Sequence, residues 1–111
     1  MYETLAMFID GQWVQGSDGK SEEVLNPATG TSIGRLPHAS RADLDRALEA
    51  ARKGFKVWRA TSAYDRAKVM RKAANLIRER QEQIATILTL EEGKTLGEAR
   101  LEVGTTADII E

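Results

Sequence analysis

The chain has no cysteine. That excludes disulfides, zinc thiolate sites and a thiolate nucleophile from its 111 residues. It has one histidine, His38, so no histidine cluster can hold a metal. Aromatic residues make up 5% of the chain, and Trp13 and Trp58 are the largest of them, so the core must be aliphatic and alanine-rich. Charge of one sign is missing too. Sixteen Lys and Arg against seventeen Asp and Glu leave a net charge of −1, and nothing draws such a chain to nucleic acid or to an anionic membrane surface. No apolar run is long enough to span a bilayer, and Met1–Asp10 has neither a basic stretch nor a long apolar core. A signal peptide, a membrane anchor and a membrane partner are therefore not expected, and a cytoplasmic location is.

What is present fits a folded chain. Hydrophobic residues are 41% and charged residues 30%, and the length suits one domain or a piece of one. The pattern changes near Ser40. Residues 1–39 read as a β-hairpin layer and residues 40–111 as a helical part.

Turn signals crowd the first part. Phe8-Ile9-Asp10-Gly11-Gln12-Trp13-Val14 sets an Asp-Gly pair between apolar residues, the signature of a tight hairpin. Gly16-Ser17-Asp18-Gly19 is a second turn. Glu22–Leu25 reads as a strand, Asn26-Pro27-Ala28-Thr29-Gly30 as a third turn, and Thr31–Leu36 as a return strand closed by Pro37. Proline fixes its own φ and biases the residue before it away from helix, so the strand should stop at Asn26.

Helical spacing takes over after Ser40. Arg41 to Phe55 should form a first helix, with Ser40 as N-cap and Asp43 at N3, a variant of the capping box in which Glu or Gln is usual. Leu44, Ala47, Leu48 and Ala51 form its stripe, and Gly54 weakens its end. Phe55 and Trp58 read as a buried aromatic plug there. A second helix spans Ala63 to Arg80, capped by Ser62, with Ala67, Met70, Ala74 and Ile77 inward and Ala73 and Leu76 widening the stripe. A third covers Gln81 to Glu92, although nothing near residues 79–83 separates it from the second. Gly93 suits the left-handed residue after a helix. Thr95-Leu96-Gly97-Glu98 is a capping box, after which Ala99, Val103, Ala107 and Ile110 share one face. No glycine, proline or basic turn closes this fourth pattern, so a continuation beyond Glu111 is expected.

Candidate chemistry is sparse. Gly93-Lys94-Thr95 has the ending of a phosphate loop, but the glycine such a loop needs five positions earlier is Leu88, in a helical stripe. A break between helices is the better reading. His38 follows Pro37 in a loop and reads as a solvated linker residue. Glu91 and Glu92 diverge by about 100° on a helix and cannot act as an acid/base pair. The basic positions of the first helix alternate with Asp43, Asp45 and Glu49, a mixed solvated face. From the residues alone the chain is an α+β segment without a complete active site: no catalytic and no cofactor-binding residue is assigned.

Taken in order, the strings are more specific than any one of them. Phe8–Val14 resembles the opening hairpin of the aldehyde dehydrogenase superfamily, and Asn26–Gly30 its Asn-Pro-Ala-Thr-Gly turn. Ala50-Ala51-Arg52-Lys53-Gly54-Phe55 with Trp58 resembles its first helix, and Arg66 with Ala73, Leu76 and Ile77 is similar to its second. Leu90-Glu91-Glu92-Gly93-Lys94-Thr95, then Glu98-Ala99-Arg100 and Glu102-Val103, resembles the Glu-x-Gly-Lys break and the helix after it. Thr31 stands where Glu is common, and Thr95 where Pro is common. Met1–Ala6 carries no such signal.

The resemblance implies an α/β fold, in which the hairpins and about four helices pack on a Rossmann-like nucleotide-binding domain as its N-terminal part. It implies an enzyme several times longer than this chain, using NAD or NADP to oxidise a small-molecule aldehyde to a carboxylic acid. A cysteine thiolate attacks the aldehyde, hydride passes to the nicotinamide, and water activated by a glutamate hydrolyses the thioester. No such residue has a counterpart here, so this segment alone is expected to be inactive. The resemblance further implies a homodimer or homotetramer, and a monovalent cation held by the Leu25 carbonyl and the Glu91 side chain. The stretch Leu88–Val103 is most similar to succinate-semialdehyde dehydrogenases. The alternative is a stand-alone, non-catalytic helical module that binds a partner.

Overall fold

The Asp-Gly pair does what its chemistry allows. Asp10 and Gly11 both take positive φ, 53° and 78°, the two left-handed conformations that match a tight turn to the twist of its strands. β1 (Met7–Ile9) and β2 (Gln12–Val14) pair antiparallel across it, with Phe8 opposite Trp13. The two rings meet at 5.0 Å between centroids, tilted by 54°. β3 (Ser21–Leu25) and β4 (Ser32–Pro37) form a second antiparallel hairpin with a bulge between Val24 and Leu25. Pro37 is the last residue of β4 and is buried, a position where a missing N–H does no harm to a ladder. These elements belong to a computed structural model that describes residues 5–111. Four residues of the Met1–Asp10 opening thus lie outside the described part.

Four helices follow: α1 (Arg41–Ala60), α2 (Ala63–Glu79), α3 (Gln81–Glu92) and α4 (Leu96–Ile110). α1 runs five residues past the expected end at Phe55. Gly54 does not stop it, since one open glycine costs a helix only about 1 kcal/mol and the flanking residues are good helix formers. The plug expected at Phe55 and Trp58 is absent as well: Phe55 is 62% and Trp58 41% exposed. α2 and α3 are distinct. The break is a single residue, Arg80, at φ −101° and ψ 12°, whose N–H is shared between the carbonyls of Leu76 and Ile77. No side chain caps α3, which is why the sequence carries no signal there.

The strands all precede Ser40 and the helices all follow it, but the compact units cut across that line. Among the described residues, one comprises residues 5–25 and 31–60, so α1 clusters with the hairpins; the other comprises residues 26–30 and 61–111.

In the second unit α4 packs against both α2 and α3. The fully buried side chains are small: Ala74 of α2, Ala85 of α3, and Ala99, Val103 and Ala107 of α4, with Ile77, Ile84, Leu88 and Leu96 partly buried around them. Interhelical distance follows the size of the contacting side chains, so alanine at the seam lets the helices approach closely. Ion pairs rim the seam. Arg78 of α2 reaches Asp108 and Glu111 at 2.8 Å each, and Arg100 of α4 grips both oxygens of Glu82 at 2.8 Å. Exposed pairs of this kind add little stability but fix register.

Candidate functional site

Two of the strings singled out in the sequence meet in the second unit. Gly93 ends α3 in the left-handed conformation at φ 78°, and its N–H donates to the Thr89 carbonyl at 2.9 Å. A β-carbon on Gly93 would stand 3.1 Å from Pro27 Cγ, so the glycine's bare face lies against the proline ring of the Asn26–Gly30 turn. That turn is locally self-sufficient. Asn26 Oδ1 accepts the Ala28 N–H at 2.9 Å, and the Asn26 carbonyl accepts the Gly30 N–H at 2.8 Å. Gly93 therefore satisfies two demands at once, a positive φ and a close approach, and both favour glycine.

The next two residues also have structural partners. Lys94 Nζ bonds to the carboxylates of Glu102 and Glu92, the latter at 2.9 Å. Glu102 first, and then Glu92, raise the Lys94 pKa above the usual lysine value, so this amine is a cation clamped between two acids and no proton acceptor. Thr95 Oγ1 accepts the Glu98 N–H at 3.3 Å while Glu98 Oε2 accepts the Thr95 N–H at 3.3 Å, the reciprocal capping box of α4. The phosphate-loop likeness of Gly93-Lys94-Thr95 ends here, because α3 is helical up to Glu92 and the lysine is occupied.

A second cluster lies in the first unit. Asp43 is fully buried. Its Oδ2 accepts the N–H of Ser17 at 2.9 Å, the N–H of Ser40 at 2.9 Å and the Ser17 hydroxyl at 3.0 Å; its Oδ1 accepts from Arg46 at 2.8 Å. Ser40 Oγ in turn accepts the Asp43 N–H at 3.2 Å, and the two serine hydroxyls lie 2.6 Å apart. The Ser17 N–H above all, then that of Ser40, hold the Asp43 carboxyl far below the usual carboxylate range. The expected cap of α1 is thus present, and extended by a residue 26 positions upstream, Ser17. Only the Gly16–Gly19 turn signal hinted at Ser17, and nothing local paired it with Asp43. A serine beside a buried aspartate invites comparison with a nucleophilic triad, but the histidine is elsewhere: His38 Nε2 pairs with Glu22 at 3.4 Å on the surface. This carboxylate is an ionised helix cap.

The two residues expected to hold a cation fall in different units. Leu25 closes β3 beside the bulge and is half exposed. Glu91 is exposed in the last turn of α3. Among the described residues no group of three or more His, Cys, Asp or Glu could hold a metal ion, and no helix is long and apolar enough to cross a membrane.

Hairpins followed by this helical set, with the proline turn against the Gly93 break, define the kind of segment the chain is. The model of the aldehyde dehydrogenase family matches residues 13–111, and the chain belongs to that family. It is 43% identical over 103 residues to malonate-semialdehyde dehydrogenase 1 of Bacillus licheniformis, a match covering 93% of this chain and 21% of that protein. The solved NAD-dependent aldehyde dehydrogenase of Sinorhizobium meliloti superposes with a TM-score of 0.94 at 36% identity, over 99% of this chain and 22% of the other. An NADP-dependent enzyme of E. coli superposes with a TM-score of 0.94 at 35% identity, over 97% and 22%. The chain thus spans about a fifth of the length of the relatives it matches.

Proposed function

We propose that the chain is the N-terminal scaffold of the nucleotide-binding part of a nicotinamide-dependent aldehyde dehydrogenase, and that it works only within a polypeptide of its relatives' length. The observation that carries this reading is the family match across residues 13–111 in a chain that covers a fifth of its relatives. The nicotinamide, when bound, accepts the hydride of the oxidised aldehyde. The residues of this chain do none of that chemistry. Gly93 and Pro27 join the turn to the helices, Thr95 starts α4, and Asp43 secures the start of α1. The segment alone is inactive.

The proposed substrate is a semialdehyde. Succinate semialdehyde is the one the Leu88–Val103 stretch favours, and malonate semialdehyde is the one named in the relative of Bacillus licheniformis. The proposed setting is the cytoplasm, as a homodimer or homotetramer. A monovalent cation on the Leu25 carbonyl and the Glu91 carboxylate belongs to the same proposal, since both donors are the oxygen type that hard cations take. Replacing Glu91 with glutamine should then abolish any K⁺ or Na⁺ dependence of the enzyme's activity.

The test of the main reading is to express the continuous reading frame and follow NAD⁺ and NADP⁺ reduction with a panel of aldehydes that includes both semialdehydes. Turnover with at least one is expected. A folded full-length protein that oxidises none of them refutes the proposal.

A further inference from the structure

The chain holds two Asp-Gly pairs, and its fold treats them differently. Before a glycine, an aspartate side chain can be attacked by the next backbone nitrogen, because no β-carbon on the glycine hinders the approach. At Asp18-Gly19 both reacting groups are engaged. The Gly19 N–H donates to the Gly16 carbonyl at 3.1 Å. Asp18 Oδ1 accepts the Lys20 N–H at 3.2 Å, and Lys20 Nζ lies 3.3 Å from Asp18 Oδ2. The Lys20 N–H above all, and then its ammonium, hold this carboxyl below the usual carboxylate range, which disfavours the protonated form that a nucleophile attacks. The turn is also pinned on both sides: the Ser17 N–H donates to Asp43 Oδ2, and the Lys20 carbonyl accepts the His38 N–H, each at 2.9 Å.

At Asp10-Gly11 none of these restraints exists among the described residues. Asp10 is exposed, its carboxylate makes no hydrogen bond or ion pair, and the Gly11 N–H donates to no carbonyl. The pair joins two strands of three residues each, and a two-stranded ribbon of that length is marginally stable and opens locally. Opening matters, because Asp10 stands at φ 53° in the closed turn and the glycine nitrogen must swing round to reach the side chain.

We propose that Asp10-Gly11 is a site of spontaneous backbone isomerisation, through a cyclic imide to isoaspartate, and that Asp18-Gly19 is shielded from it by its contacts. The Gly11 nitrogen loses its proton and attacks Asp10 Cγ. The N–C bond forms as a carboxyl C–O bond breaks, and hydroxide leaves with the proton as water. Water then adds back at one of the two ring carbonyls. Breaking the bond from nitrogen to Cγ restores aspartate; breaking the bond to the backbone carbonyl carbon leaves the chain running through the side chain, as isoaspartate. Nothing is oxidised or reduced, and the only co-reactant is water. The product carries one extra methylene in the loop between β1 and β2. A two-residue turn has no slack to absorb it, so the pairing of Phe8 with Trp13 is lost while β3 and β4 keep their register.

The test ages the product of the continuous reading frame at neutral pH, folded and in urea, and measures isoaspartate at each position by electron-transfer fragmentation in a mass spectrometer. In the folded protein, position 10 should exceed position 18 at least several-fold. In urea the two should converge. Hydrogen exchange of the aged, folded protein should show protection lost in β1 and β2 and retained in β3 and β4. Equal or greater conversion at position 18 in the folded protein overturns the proposal. So does a position 10 that converts only in urea, since the closed turn would then protect it. The same several-fold bias in both conditions also overturns it, because the neighbouring residues and not the fold would then set the preference.

Discussion

Replacing Gly93 with alanine should destabilise the second unit by about 1–2.5 kcal/mol, and the figure can be worked from three effects. At φ 78° an alanine pays about 1–2 kcal/mol for the left-handed conformation. Its β-carbon would stand 3.1 Å from Pro27 Cγ, which forces the ring to yield by a few tenths of an ångström and adds about 1 kcal/mol of overpacking. Against both, alanine has a less disordered unfolded state than glycine, which returns about 0.4–1 kcal/mol. Two other glycines separate these effects. Gly30 has φ 68° and nothing within 4 Å of an added β-carbon, so Gly30→Ala meets only the conformational penalty and should lose about 0–1.5 kcal/mol. Gly54 lies in α1 with open space around it, so Gly54→Ala should gain about 0.5–1 kcal/mol. Urea titration of the helical circular dichroism signal ranks the three. The order expected, from most to least stable, is Gly54→Ala, the parent chain, Gly30→Ala and Gly93→Ala. If Gly93→Ala is no worse than Gly30→Ala, the approach to Pro27 carries no energy. If it matches the parent chain, the conformational argument is wrong as well.

Further predictions follow from the caps and the tight spots. A β-carbon on Gly16 would sit 2.1 Å from the His38 carbonyl oxygen, a backbone atom with nowhere to go, so Gly16→Ala should cost about 3 kcal/mol or more and lose the hairpin region's amide protection in hydrogen exchange. Thr95→Ala removes the hydroxyl half of the α4 capping box and should cost about 1 kcal/mol in the same urea titration. Asp43 has a folded-state pKa depressed by the Ser17 and Ser40 N–H groups, so the stability it contributes is present in full above the ordinary carboxylate range. That contribution is lost as pH falls from this range toward the much lower folded value. Asp43→Asn should therefore be less stable than the parent chain at neutral pH, and the gap should close in acid titrations followed by circular dichroism; a gap that holds constant with pH refutes the assignment.

The elements written in local chemistry were legible. Asp10-Gly11 announces its hairpin, Ser62 and Thr95 announce the starts of α2 and α4, and Gly93 announces the end of α3, because each signal and its partner lie within a few residues. The stripe of Ala99, Val103 and Ala107 was equally plain, since only one face of α4 is apolar throughout. What the sequence hid is long-range or silent. Arg80 breaks α2 from α3 through its backbone alone, without the glycine, proline or cap that would mark the place. Ser17 meets Asp43 across 26 residues, and Pro27 meets Gly93 across a still longer separation; no spacing rule reaches that far. The plug expected of Phe55 and Trp58 failed for another reason. Periodicity says which side chains share a face, not whether the matching surface is encoded in the same stretch of chain.

The most deeply buried positions of the three-helix seam are mostly alanines. Alanine has no side-chain torsion to adjust, so where Ala74, Ala85, Ala99 and Ala107 meet the seam no rotamer change can take up slack, and any adjustment falls to Val103 and the surrounding Ile77, Ile84, Leu88 and Leu96. Any bulkier residue at Ala85 or Ala99 would have to push a whole helix aside. Because Gly93 and Thr95 sit in the short link between α3 and α4, that push would be felt at the proline turn, far from the altered side chain.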